Sequence, residues 1–233
     1  FPAIHAVGRA AARAPRLVEL TWGAPRHPKL TLVGKGVCFD SGGLDIKGAE
    51  GMRLMKKDMG GAANALGLAQ IVMALQLPVR LQLLIPAVEN AIAGNAYRPG
   101  DVVRTRKGLT VEIGNTDAEG RVILCDALAY GAEGRPDLMI DLATLTGAAR
   151  TALGPQLPAL FCRRMAAARE LVDLGLEAGD PLWHMPLWRD YHAGIESEIA
   201  DIVNTGRNAM AGAINAALFL EDFVPEDSDW LHI

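Results

Sequence analysis

Two glycine-framed clusters carry the residues whose types and spacing could do chemistry. The first reads Gly34-Lys35-Gly36-Val37-Cys38-Phe39-Asp40-Ser41-Gly42-Gly43-Leu44-Asp45-Ile46-Lys47, with Met55-Lys56-Lys57-Asp58-Met59-Gly60-Gly61 shortly after it. The second reads Asn115-Thr116-Asp117-Ala118-Glu119-Gly120-Arg121. Asp40, Asp58, Asp117 and Glu119 are thus wedged among glycines and apolar residues. A carboxylate in such surroundings is costly unless a cation or a donor satisfies it. If the four converge, their repulsion demands positive charge. The lysines and Arg121 supply some of it, and a pair of divalent cations would supply more. An oxygen-dominated set suits Mg, Mn or Zn. The histidines argue against an ordinary His-zinc site, because His5, His27, His184, His192 and His232 are scattered with no HExxH. Asp117 and Glu119 lie two apart, so in extended backbone they would share a face. Asp58 stands just ahead of a helix expected from near Gly60, and Gly60-Gly61 allows close backbone approach.

Taken singly, each residue has an ordinary explanation. An Asp near a turn usually caps it, and a lone Lys35 or Lys47 is usually solvated. Clustering shifts the balance toward a metal site, and residue types and spacing alone go no further than that.

These residues need a scaffold to bring them together. Apolar runs predict strands at 30–33, 81–88, 110–113, 138–142 and 159–161, with a last one starting at 230–233. Helical stretches are expected at 62–75, 122–130, 166–176 and 211–223. Alternating strands and helices imply an α/β fold, a sheet layered between helices. Ligand sites in such folds lie at the carboxyl ends of strands, where both glycine clusters fall. No internal repeat or low-complexity tract interrupts the pattern.

Composition bounds the rest. The 233 residues fit one large domain, and 50% hydrophobic with 21% charged residues can bury a sizeable core. The formal net charge of -4 excludes a strongly basic, phosphate-tracking surface, so nucleic acid is not an expected partner of this domain. Cys38, Cys125 and Cys162 are widely spaced without a CxxC pair, which points to a reducing, cytoplasmic setting. No apolar stretch reaches the roughly 20 residues of a membrane span, and no signal peptide is visible. The chain opens on Phe1-Pro2 rather than Met and is expected to be a piece of a longer protein.

The two clusters resemble the signature of the leucyl aminopeptidase family, the M17 metallo-exopeptidases. Asn115 to Arg121 matches the family's NTDAEGR motif without a change. Further similar stretches are Ile140-Asp141-Leu142-Ala143-Thr144-Leu145-Thr146-Gly147-Ala148 and Ala211-Gly212-Ala213-Ile214-Asn215-Ala216-Ala217-Leu218-Phe219-Leu220. The likeness runs from about Ala6 to the last residue. It implies a three-layer α/β/α fold with a mixed, mostly parallel central sheet, as in zinc exopeptidases. It also implies that residues 1–233 are the catalytic domain, with the family's smaller N-terminal α/β domain and extreme C-terminus outside this chain.

The family's activity would be a two-metal aminopeptidase, removing leucine or another N-terminal residue from peptides. Carried over, Lys35, Asp40, Asp58 and Glu119 would hold the tighter divalent ion. Asp40, Asp117 and Glu119 would hold the exchangeable one, with Zn or Mn expected and Mg or Co possible at the second position. Lys35 would have to be neutral to ligate. A metal-bridging water would be the nucleophile, Lys47 would stabilise the oxyanion, and Arg121 would bind a bicarbonate acting as general base. Met55, Thr144 and Gly147 would line the pocket for the first side chain, and Leu145 would contact substrate backbone. The family assembly is a homo-hexamer. Of the residues outside this set, Cys38 and Cys125 are expected to be packed, Trp183 and Trp188 to pack a loop, and Lys56 and Lys57 to be solvated or interface charges. Gly48, where relatives often carry proline, is expected to loosen the loop after Lys47.

Overall fold

A computed structural model describes residues 1–233. In chain order the elements are α1 (Pro2–Gly8), β1 (Arg16–Trp22), β2 (Lys29–Gly34), β3 (Gly36–Asp40), α2 (Ala49–Met52), α3 (Gly60–Ala74), β4 (Arg80–Asn90), β5 (Val102–Arg104), β6 (Thr110–Glu112), α4 (Glu119–Glu133), β7 (Leu138–Leu142), α5 (Gly147–Leu153), β8 (Ala159–Cys162), α6 (Met165–Ala178), β9 (Trp183–His184), β10 (Ile202–Val203), α7 (Gly212–Glu221) and β11 (Trp230–His232). Short 3₁₀ turns occupy Met55–Lys57, Thr116–Ala118 and Arg189–Ile195.

The central sheet runs β1-β4-β2-β7-β11-β8-β9, with β3 added alongside β4. Its pairs are parallel except β1–β4 and β11–β8. The sheet is therefore mixed and mostly parallel, as expected. Side chains alternate across it, which explains both helical layers. On β4, Leu81, Leu83 and Ile85 pack with Leu32 against Ala62, Ala65, Ala69 and Val72 of α3. Leu84 and Val88 point the other way, with Val33, into a core shared with α1, α4 and α7. The small residues of α3 let it lie close to the sheet. At Gly61 a Cβ would stand 2.0 Å from the Leu142 carbonyl oxygen, so no larger residue fits there.

The expected strands and long helices are present, with ends shifted by a residue or two at most positions. Of the elements that were not expected, three shape the central sheet and its packing. Strand β1 pairs antiparallel with β4 over its whole length. Helix α1 docks through the backbone N–H groups of Ala3 and Ile4, which donate to buried Asp126 at 2.9 and 3.4 Å. Strand β3 lies inside the first glycine cluster and carries a bulge between Val37 and Phe39. A separate three-stranded sheet, β10-β6-β5, supports the second cluster. No helix is long and apolar enough to cross a membrane.

Two expectations about packing fail. Cys38 is exposed, because the bulge in β3 turns it outward, whereas Cys125 is buried as expected. Trp183 and Trp188 are about half exposed rather than packed.

Candidate metal centre

Lys35 occupies the turn between β2 and β3. Its backbone is held on both sides: its N–H donates to Leu142 O at the end of β7, and its carbonyl accepts from Ala62 N in the first turn of α3. This aims the side chain between two carboxylates. Lys35 Nζ lies 2.8 Å from Asp58 Oδ2 and 2.9 Å from Glu119 Oε1, and it donates to Thr144 O at 3.0 Å. All three charged groups are buried. The approach requires Gly120, where a Cβ would stand 2.6 Å from Lys35 Cε. Burial works to lower the Lys35 pKa, but the charges of Glu119 and Asp58 outweigh it and the net direction is up. Burial pushes the Glu119 carboxyl up to about 7, with Lys35 opposing.

A second cluster adjoins the first. Asp40 ends β3, and its Oδ2 lies 2.9 Å from Lys47 Nζ, which also pairs with Asp117. Asp40 Oδ1 accepts from Gly42 N and Asn90 Nδ2, both at 2.9 Å. The Lys47 pKa is raised, its two carboxylate partners outweighing desolvation. Asp117 is raised as well, by burial first and by the charge of Asp40.

The two clusters meet. Asp40, Asp117 and Glu119 each offer one oxygen, all within 4.8 Å of one another. Asp117 and Glu119 converge, but not through extended backbone as their spacing suggested. Thr116–Ala118 is a 3₁₀ turn, and Glu119 opens α4 directly behind it. The turn is capped by Asn115, whose side chain accepts from Asp117 N at 2.7 Å.

The residues present fit divalent cations. Lys35 and Lys47, with the half-exposed Lys57 at Asp58, face four carboxylates, and Glu119 Oε2 is buried with no partner at all. A buried, unsatisfied carboxylate oxygen is costly, and a cation among Asp40, Asp117 and Glu119 would satisfy it. Arg121, in the first turn of α4, is buried with its Nε unpartnered. Burial lowers its pKa to about 10, and an anion beside it would offset that cost.

The structure brings Lys35, Asp40, Lys47, Asp58, Asp117 and Glu119 into one contiguous set. Thr144 joins them through its hydroxyl, which donates to Asp58 Oδ1 at 2.9 Å. Met55 touches the set through its carbonyl, which accepts from Asp58 N. Leu145 is half buried against the α4 core, and Gly147 is exposed at the start of α5. Lys57, expected to be a solvated or interface charge, is half exposed, and its Nζ reaches Asp58 Oδ1 at 3.2 Å. Sequence reasoning missed Asn90, Tyr97, Asp45 and Asn204, which hold the two loops. Asn204 is fully buried, accepts from Gly114 N and Asn115 N, and donates to Asn115 O. The one available signal was a lone Asn at the end of an apolar strand run, as at Asn90.

A mostly parallel α/β sheet with a carboxylate–lysine centre at its strand ends defines the class: an α/β protein whose residues at the strand ends could hold cations. The comparisons narrow this. The cytosol aminopeptidase family, catalytic domain, matches residues 1–233, and the chain belongs to that family. A probable cytosol aminopeptidase of Syntrophotalea carbinolica is 50% identical over 235 residues, covering 100% of this chain and 47% of the relative. One from Roseiflexus castenholzii is 48% identical over 236 residues, covering 100% of this chain and 48% of the relative. The crystal structure of cytosol aminopeptidase from Coxiella burnetii superposes with a TM-score of 0.97 at 62% identity, over 100% of this chain and 51% of that one. The bottromycin maturation enzyme BotP in complex with Mn gives 0.93 at 42% identity, over 99% of this chain and 51% of that one. The chain thus spans about half the length of the relatives it matches.

Proposed function

We propose that residues 1–233 form the catalytic domain of a two-metal aminopeptidase that removes N-terminal residues, leucine among them, from peptides. The observation that carries this reading is the convergence of Lys35, Asp40, Asp58, Asp117 and Glu119, with Glu119 Oε2 left unpartnered. The Mn complex of a similar structure supports divalent ions as the ligand class. Lys35, Asp40, Asp58 and Glu119 would hold one ion, and Asp40, Asp117 and Glu119 the other. Bound there, divalent ions such as Zn or Mn supply Lewis acidity and a water deprotonated near neutral pH. Lys35 would ligate as the neutral amine, so its proton must leave before it joins the site.

The remaining roles belong to the chain's own side chains. Lys47 pairs with both Asp40 and Asp117, and its ammonium would stabilise the negative charge that develops on a scissile carbonyl. The Arg121 guanidinium is buried and unpaired at Nε, and its planar fork suits a small oxyanion such as bicarbonate, which would accept the proton. Thr144 holds Asp58 in place, and with Met55 and Gly147 it would border the first side chain, while Leu145 would meet substrate backbone. A homo-hexamer is the proposed assembly and peptides the proposed substrates.

The test uses the full-length protein with added Mn²⁺ or Zn²⁺. Leucine amide should be cleaved and N-acetyl-leucine amide should not, and a chelator should abolish turnover until the ion is restored. Equal cleavage of the blocked amide, or none of the free one, overturns the reading.

A further inference from the structure

Asn90 lies at the end of β4, directly across the ladder from Asp40 of β3. It is fully buried. Its main chain fixes the residue after Asp40, since its carbonyl accepts from Ser41 N at 3.1 Å and from Ser41 Oγ at 2.6 Å. Its side chain reaches further. Nδ2 donates to Asp40 Oδ1 at 2.9 Å and to Thr116 O at 3.0 Å. Both neighbours can only accept, so the amide nitrogen must face them.

Those two bonds join the halves of the site. Thr116 O belongs to the peptide plane whose N–H is that of Asp117, and every polar atom of this plane is tied. The oxygen takes Asn90 Nδ2 and also the Tyr97 hydroxyl at 2.5 Å. The N–H goes to Asn115 Oδ1 at 2.7 Å. Tyr97 is buried, and burial holds its phenol well above the ordinary value, so it stays a donor. The other side of Thr116 is fixed by Asp45, which accepts from Thr116 N at 2.7 Å and donates its own N–H to Thr116 Oγ1 at 2.8 Å. One amide thus sets the Asp40 carboxylate and, through one peptide plane, the direction of Asp117.

Asn90 achieves this at a cost to the fold. Its Oδ1 is buried with no partner. A residue serving only to fill the core would do better as an apolar side chain of similar shape, which leaves no acceptor unsatisfied. The unsatisfied oxygen is therefore understandable if the amide nitrogen has a separate task.

We infer that Asn90 is a positioning residue of the cation site, holding Asp40 and the Asp117 peptide in register so that their carboxylates point at the same place. The inference rests on the two-metal reading and adds to it a residue that touches neither substrate nor ion. Partners that orient ligating groups typically matter by about 10–100-fold in metal affinity.

The experiment measures Mn²⁺ binding to the full-length protein by calorimetry, with thermal unfolding in chelator alongside. Asn90→Leu keeps the shape and removes both the donor and the orphan acceptor. Asn90→Ala adds no volume, so the test stands even if the leucine variant misfolds. The expected result is a Mn²⁺ affinity lower by about 10-fold or more at one of the two ions, with the Asn90→Leu melting temperature in chelator equal to or above wild type. Tyr97→Phe leaves Asp40 held and should change the affinity by less than either Asn90 variant. An Asn90 variant that binds Mn²⁺ as wild type does overturns the inference, and so does a loss of affinity no greater than that of Tyr97→Phe. If wild type itself binds no divalent ion, the two-metal reading fails first, and the two failures are distinct.

Discussion

The site has a deep half and a shallow half, each built from one lysine and two carboxylates. In the deep half, the Lys35, Asp58 and Glu119 side chains are 3%, 3% and 1% exposed. In the shallow half, Lys47 and Asp117 are 17% and 33% exposed, and only Asp40 is as dry. The same charges therefore obey different physics. In the deep half the fold itself depends on neutralisation, since water cannot reach an uncompensated carboxylate there. In the shallow half solvent screens part of any loss, so under the proposed function Lys47 would be free to serve a substrate rather than the fold. The difference teaches that burial, more than residue type, sets how much the fold depends on each lysine.

The sharpest way to break this contrast is to remove each ammonium in turn and unfold the protein with urea in chelator. Lys35→Met leaves Glu119 without its cation and Asp58 with only the half-exposed Lys57, both in a dry site, and should cost about 3–5 kcal/mol. Lys47→Met should cost less, about 1–3 kcal/mol, since Asp40 keeps Gly42 N and Asn90 Nδ2 as donors, yet lower kcat by on the order of 100-fold once metal is restored. Equal losses of stability for the two variants would end the distinction.

A smaller effect probes the packing of the deep half alone. Gly120→Ala places a Cβ 2.6 Å from Lys35 Cε and 2.7 Å from Nζ. The lysine tip could bend away in open solvent, but here it is pinned by two ion pairs and the Thr144 carbonyl. Overpacking of this kind should cost about 1–3 kcal/mol and weaken Mn²⁺ binding along with stability. A Gly120→Ala protein with wild-type stability and affinity would show that Lys35 has room the structure denies it.

The pH dependence gives a third contrast. Glu119 stands at about 7 in the folded chain against an ordinary value of 4.5. Between these values the folded state binds more protons than the unfolded one, so stability falls as pH rises. The contribution is fully present below about pH 4.5 and is lost as pH climbs through about 7. In chelator, wild type should therefore lose stability relative to Glu119→Gln over that window. A difference that stays flat, or that grows in favour of wild type with rising pH, would contradict the burial of this carboxyl.

How much of this was legible beforehand differs along the chain. Strands β2, β4 and β7 and helix α4 were readable because each is dominated by apolar residues that pack against the cores. Strand β1 was not, because it is an edge strand with no fully buried residue and polar residues among its apolar ones. Helix α1 spans only 7 residues, and the carboxylate that caps it lies in α4, 123 residues away. Strand β3 was hidden by its glycines. The ligand candidates were legible from the motifs, but their geometry was not. Asp117 and Glu119 converge through a 3₁₀ turn that their two-residue spacing does not announce. Asn90 escaped for a related reason: its task exists only across the β3–β4 ladder, and its one local mark, a lone Asn ending an apolar strand run, does not say what it does.

The smallest expected effect lies at the edge of the shallow half, in the loop that follows Lys47. Gly48 sits at φ -61° and ψ 151°, and an added Cβ there would meet nothing within 4 Å. Proline prefers the same φ. The Gly48 N–H makes no backbone hydrogen bond that a proline would remove. Gly48→Pro should therefore stabilise the fold by about 0.4–1 kcal/mol, chiefly by restricting the unfolded chain. Lys47 is tied independently, through its N–H to Ser41 O at 3.0 Å, so its ammonium should stay where it is. Urea midpoints test the first half of the claim, and an unchanged KM for leucine amide tests the second. A gain in stability with a raised KM would mean that the shallow half uses the looseness of this loop, and that its freedom extends from Lys47 to the backbone carrying it.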